Sequence, residues 1–472
     1  MIPSDHFYIG GGATATAITV VAAVLLLVTV VSMFALPRRY VLVPLLLGVF
    51  LVPSGNVLVV GGLHLMPGRL LALVGWVRVA WARPPKGGAR FAGGCNAIDI
   101  AFLGWGIATA VAVTIQWMSM PALINQCGAL GGNLGMYFLL RQLIRGTEDI
   151  ARAIKVLVVV AAIVALGMVC ERLTLRNFFG IVVGGVQEAP LVREGRVRSQ
   201  GPFQHAILAG VFGATLVPPC LWLWKKHRSR WLAGLGLLSG TVMTLTAASS
   251  TPVMAYAGGV LSLFLWPIRR KMRALRWGIG LTLTVLHLAM KAPVWFLIAR
   301  VDVVGGSASF DRAYLIDTCV RHFSDWWLCG THDMANWGWS MWDQSNQFVA
   351  VADGGGLLAL AFFIGIVSRC FGGVGTARRD AGSGREEVCM WILGAAVFAH
   401  VMAFFGVSYF DQTVVAWFVL LAIISVATLP LEVQSSGTAR LATYPCGASA
   451  AAEEVDYAEL GQTDSGSVQF SA

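Results

Sequence analysis

The chain has 472 residues, 57% of them hydrophobic and 12% charged, with a mean hydropathy of +0.72, a balance that excludes an ordinary soluble domain. A net charge of +10 and a pI near 9.4 would suit a nucleic-acid binder, but in a chain this apolar the placement of the cations matters more than their sum. The expectation is an all-α, polytopic integral membrane protein with no nucleic-acid partner.

A membrane-crossing helix needs about 20 mostly apolar residues. Thirteen segments approach that length, at 14–36, 41–60, 69–82, 98–117, 121–144, 152–171, 204–224, 231–247, 250–268, 275–295, 346–369, 388–407 and 413–431. The third is the shortest, so twelve or thirteen crossings are expected. No Lys or Arg precedes the first run, Pro37-Arg38-Arg39 follows it, and no small-residue cleavage site is present. It therefore reads as an anchor with its N-terminus outside, not as a cleaved signal. From that start, the connections assigned to the cytoplasm hold 23 of the 34 Lys and Arg, and the positive-inside rule is met in one register. The chain then divides into N-terminal helices (1–171), a basic extracytoplasmic loop (172–203), central helices (204–295), a long extracytoplasmic loop before the eleventh helix (296–345), C-terminal helices (346–432) and a cytoplasmic tail (433–472). The Ser/Gly/Ala-rich, acidic composition of the tail favours disorder.

Ten cations fall outside, nine of them in or around the two long loops. Pairing with Glu188, Glu194, Asp311 or Asp325 is the ordinary explanation for any one of them. Concentrated above a membrane, they also suit an anionic, lipid-linked substrate, because the planar guanidinium fork matches phosphate. The first loop ends Arg196-Val-Arg198-Ser-Gln-Gly201-Pro202-Phe203-Gln-His205. Arg196 and Arg198 share one face of an extended segment, and Gly201-Pro202 favours a turn. The following helix start offers backbone N–H groups to the same anion, with His205 either a plain helix-start residue or part of that site.

The second loop is long enough to be a functional candidate on length alone. Phe310 to Trp327 reads as an amphipathic helix with Tyr314, Thr318 and Arg321 at helical steps. Trp326, Trp327, Trp337, Trp339 and Trp342 form an interfacial belt, a stacking platform for sugar rings, or both. His322, His332, Asp325, Asp333 and Asp343 supply possible proton acceptors, while Thr331-His332-Asp333 lacks further ligands at metal-site spacing. Cys319 and Cys329 are the two cysteines placed to form an external disulfide. Downstream, Gly354-Gly355-Gly356 inside an apolar run permits either close helix contact or a break, and a break makes Asp353 an intramembrane carboxylate with a functional role by default.

From Arg198 to Ile366 the chain resembles the O-antigen ligase and O-antigen polymerase superfamily, membrane enzymes of the C-type glycosyltransferase architecture. Arg198, Gly201, Phe203 and His205 match its Arg, Gly, aromatic and helix-opening His or Asn. Arg312, Gly330, Asn346 and Gly355/Gly356 match its loop Arg, mid-loop Gly, helix-opening Asn and downstream glycines. Two positions depart from the pattern. Ser345 stands where many ligases carry a catalytic His, and Ala206-Ile207 replaces the Pro-Asn that usually follows the first-loop His. Serine is a poor base unassisted: either the proton acceptor has moved, with His332 or Asp343 the nearest substitutes, or this branch uses different chemistry.

The resemblance implies transfer or polymerisation of a polyprenyl-diphosphate-linked glycan onto an acceptor hydroxyl of a glycan, lipid or protein. This would occur outside a bacterial cytoplasmic membrane, in cell-surface polysaccharide or lipopolysaccharide biosynthesis, with no cofactor or metal. Arg196, Arg198, His205 and Arg312 would bind the diphosphate, Arg312 with His332 or Asp343 would act in catalysis, and Ser345-Asn346 would open the helix. The alternatives are a transporter or flippase of lipid-linked sugars, which would favour charge within the spans, and an inactive member of the superfamily.

Overall fold

A computed structural model describes residues 16–60, 63–81, 90–227, 229–300, 308–332, 334–338, 341 and 344–429. The expected tail, together with Asp333, Trp339, Trp342 and Asp343, lies outside the described residues. Among those described, the chain is helical apart from two short hairpins. In order these are α1 (Val20–Ala35), α2 (Leu42–Leu51), β1 (Leu58–Val60), β2 (Leu63–Leu65), α3 (Pro67–Trp81), α4 (Ala97–Trp117), α5 (Met120–Leu143), α6 (Thr147–Thr174), α7 (Phe178–Val182), β3 (Leu191–Arg193) and β4 (Arg196–Arg198). They continue with α8 (Ala206–His227), α9 (Arg230–Thr246), α10 (Ser250–Phe264), α11 (Met272–Ala289), α12 (Ala308–Arg321), α13 (Phe323–Trp326), α14 (Gln347–Arg379), α15 (Gly384–Phe404) and α16 (Asp411–Ala427).

Each of the thirteen apolar segments contains a helix, because apolar runs of this length satisfy their backbone only by coiling. Length and composition suit five of them to cross a membrane: α4, α6, α8, α14 and α15. A sixth forms if α10 and the helix after it, bent by 78°, count as one span. The chain is therefore a multi-pass membrane protein.

The second segment departs from the expected single span. Its helix stops at Leu51, and Pro53–Asn56 turn the chain, with the Asn56 amide donating to the Pro53 carbonyl at 3.2 Å. Asn56 Nδ2 also donates to the Gly184 carbonyl at 3.1 Å, so a partner from a distant loop takes the chain out of the helix.

The connections sort to two ends. At one end the cationic links meet: Arg38 donates to Gln142 at 3.2 Å, Arg269 and Arg378 converge on Glu387 at 2.9 and 3.0 Å, and Arg385 donates to the Lys225 carbonyl at 2.6 Å. At the other end Ala17 bridges Val57 and Thr19 donates to the Val183 carbonyl. The principal core runs along α8, which packs against α6, α9, α10 and α15. A second, smaller core holds Leu315, Cys319, Trp326, Met334 and Val349 beneath the long loop.

Candidate functional site

The Ser199–His205 turn is tied down from every side. The Gln200 and Gly201 amides donate to the buried Glu171 carboxylate at 3.1 and 2.8 Å, and Ser199 N donates to the Thr246 carbonyl at 3.2 Å. Asn177 Nδ2 donates to the Gly201 carbonyl at 2.8 Å, and Gln412 Nε2 to the Pro202 carbonyl at 3.1 Å. The Gln204 amide donates to Asp411 Oδ2 at 2.9 Å. Gly201 has φ +58°, as the expected turn requires. Phe203 is fully buried against Phe212, a core residue with no access to a ligand.

Strand β4 delivers the two arginines of this loop to different environments. Both lie on one strand face by alternation, but Arg196 is exposed and Arg198 is 6% exposed. Burial, reinforced by the Arg193 charge, lowers the Arg198 pKa from its ordinary value. Its Nε has no hydrogen-bond partner among the described residues, and no described carboxylate pairs with it. His205 precedes α8 and caps it, its Nδ1 accepting from the Ile207 amide at 3.1 Å. Burial and then the Arg198 charge lower its pKa to about 4, so it is neutral at pH 7.

Arg312 reaches the same neighbourhood from α12. It is 5% exposed, and its Nη2 donates to Thr251 Oγ1 at 2.8 Å at the start of α10. Thr251 in turn donates to the Gly406 carbonyl at 3.0 Å. The end of α9 and the start of α10 thus touch both halves of the motif, through Thr246 at Ser199 and Thr251 at Arg312. Among the other cations of the two loops, Arg193 meets Glu194 at 3.9 Å in an exposed pair of small energetic weight, and the exposed Arg321 meets the buried Asp317 at 2.7 Å.

The three-glycine run resolves as a break. Gly356 has φ +70° and ψ −172° within α14, and loop residues 327–331 dock into the gap. Leu357 N donates to the Trp327 carbonyl at 2.8 Å and Thr331 N to the Asp353 carbonyl at 2.9 Å. Gln116 Nε2 bonds the Cys329 carbonyl from α4. These contacts supply the backbone partners that a break inside a membrane would otherwise leave unmet. Asp353 is 7% exposed; Gln344 Nε2 donates to one carboxylate oxygen, and the other has no partner among the described residues. Asn346 caps α14, its Oδ1 accepting from the Phe348 and Val349 amides at 2.9 and 3.2 Å, with Ser345 half-buried beside it.

The long loop departs from three expectations. Its helix is split into α12 and α13, and Thr318 is buried while Tyr314 and Arg321 are exposed, so the three do not share one environment. Trp326 is 5% exposed with Nε1 donating to the Cys319 carbonyl at 2.7 Å, which removes it from any exposed platform; Trp327 is exposed and Trp337 stacks on His322 at 4.9 Å. Cys319 and Cys329 are both free: the first belongs to the small core, and the second sits in the segment clamped by Gln116. His332 is exposed, its ring 4.9 Å from that of Trp117.

Glu171, Asp411, Gln412 and Thr251 hold the site and were not singled out in the sequence. Glu171 and Asp411 are each a lone acid at the edge of an apolar run, the signal that could have marked them. A scan against protein-family models finds no match, and a search of curated proteins finds no relative.

Proposed function

We propose that the protein transfers or polymerises a polyprenyl-diphosphate-linked glycan onto an acceptor hydroxyl at the extracytoplasmic face of a bacterial cytoplasmic membrane, crossed twelve or thirteen times with the N-terminus outside. The observation that carries this reading is the buried Arg198 guanidinium, which no described carboxylate offsets. An isolated buried cation is costly, and an anionic ligand relieves that cost. Diphosphate oxygens match the guanidinium fork.

In the reaction the acceptor oxygen bonds to the anomeric carbon as the bond from that carbon to the diphosphate oxygen breaks. The acceptor's proton passes to a base, and the polyprenyl diphosphate leaves. Negative charge grows on the departing oxygens, so cations fixed beforehand stabilise the transition state more than the ground state. Arg198 and Arg312 take that role, with Arg196 on the exposed hairpin and His205 at the helix start as further diphosphate ligands. His332 or Asp343 accepts the proton, a contribution of about a hundredfold or more.

The test is incubation of the detergent-purified protein with extracted polyprenyl-diphosphate glycan, measuring released polyprenyl diphosphate and transferred glycan. Arg198→Ala is expected to lower the rate about a hundredfold, and Arg198→Lys to restore only part of it, since lysine keeps the charge but not the fork. Wild-type turnover in an Arg198→Ala/Arg312→Ala double variant would overturn the reading. Intact glycan-lipid binding without release by the wild type would replace it with transport.

A further inference from the structure

A cavity of about 370 Å³ lies between the start of α16, the start of α14 and the helices α2 to α5, within the range of about 300–1,000 Å³ typical of ligand pockets. Much of its wall is aromatic, including Trp105, Phe363, Tyr409 and Trp417. Its polar groups are only partly satisfied. Gln412 is 3% exposed; its Nε2 is used on the Pro202 carbonyl, and its Oε1 has no partner among the described residues. Asp411 spends Oδ2 on the Gln204 amide, and the Ser54 hydroxyl and the Gln412 amide also stabilise the carboxylate, but no described group reaches Oδ1 with full hydrogen-bond geometry. Asp411 also has φ +59°, a left-handed conformation that non-glycine residues adopt at a cost and that collects at ligand sites.

Arg69 borders the same cavity. It donates a long hydrogen bond, 3.5 Å, to the His64 carbonyl, and it makes no ion pair with Asp411 among the described residues. An acid and a guanidinium therefore share the cavity without joining.

The chemistry narrows the occupant. A hydrocarbon tail would leave two buried acceptors unmet, and a phosphate would meet a carboxylate. Water would serve the acceptors but gain nothing from the aromatic wall. A neutral ring bearing hydroxyls on its edge and C–H groups on its faces satisfies both. We propose that this cavity seats a sugar ring, its hydroxyls donating to Asp411 Oδ1 and Gln412 Oε1, with Arg69 donating to its oxygens. The proposal rests on the glycan-transfer reading and deepens it, placing the sugar against the turn that follows Arg198.

Its test is read on binding alone, independent of turnover. Saturation-transfer NMR is run on the detergent-purified full chain with methyl glycosides of neutral hexoses, 6-deoxyhexoses and N-acetylamino sugars. Transfer to ring protons is expected for at least one glycoside. Asp411→Asn keeps the size of the side chain and an acceptor for Gln204 while turning the unmet acceptor into a donor; it is expected to weaken binding about tenfold, the scale of one charge-assisted hydrogen bond. Arg69→Met, on a different helix, should also weaken it. No transfer from any glycoside to the wild type overturns the proposal. So does transfer that is unchanged in both cavity variants, which would place the sugar elsewhere. Loss of the diphosphate reading alone would appear as wild-type turnover in the arginine variants with glycoside binding retained.

Discussion

Replacing Gly330 with alanine probes the junction between the long loop and the broken helix. Gly330 has φ +76°, and a Cβ there would stand 1.9 Å from the Asp353 carbonyl oxygen. The left-handed conformation alone costs a Cβ-bearing residue about 1–2 kcal/mol. Relieving the overlap requires loop and helix to separate, which weakens the 2.9 Å bond from Thr331 N to Asp353 and the 2.8 Å bond from Leu357 N to Trp327; each is worth about 1 kcal/mol. The junction should loosen by about 3 kcal/mol, equivalent to roughly a hundredfold in its opening equilibrium. Hydrogen exchange read by mass spectrometry should show peptides spanning 327–331 and 353–357 exchanging about a hundredfold faster, with the α8 core unchanged. Gly354→Ala is the control, since a Cβ there meets nothing within 4 Å. Unaltered exchange at the junction in Gly330→Ala would refute the docking of the loop into the break.

Besides the Arg198 and cavity variants above, two further outcomes follow. His205 has its pKa lowered to about 4 from 6.5, so the unfolded chain binds more protons between those values and stability rises with pH across that window. Wild type should lose stability relative to His205→Asn as pH falls from 6.5 towards 4, measured by detergent unfolding at each pH; parallel curves would refute the buried, neutral imidazole. For the cysteines, denaturation without reductant followed by alkylation should label both Cys319 and Cys329, and a peptide mass showing them linked would contradict the free thiols.

Much of the scaffold was legible because its determinants are local. Apolar runs of helix length coil whatever surrounds them, so each of the thirteen segments contains a helix. Gly201-Pro202 forms its turn because glycine tolerates φ +58°. The same locality explains the misreadings. Nothing within 41–60 announces that Asn56 will bond a loop about 130 residues away and end α2 at Leu51. Equal spacing of Arg196 and Arg198 on a strand says nothing of which one the bundle covers, and the cysteine positions carry no information on where their thiols face.

The sequence by itself determined that the chain is a helical, multi-pass membrane protein, and it marked Arg198, Gly201, His205 and the glycine run, since composition, periodicity and turn chemistry are properties of neighbouring residues; Arg312 was marked by the resemblance alone. Tertiary structure alone decided which arginine is buried with no described carboxylate against it, which of the two readings of the glycine run applies, and that Glu171, Asp411 and Gln412 fasten the turn after Arg198. Those outcomes depend on hydrogen bonds spanning 29 residues from Glu171 to Gln200 and 207 from Gln204 to Asp411. Contacts at such separations exist only once the helices have packed and excluded water from the groups that make them.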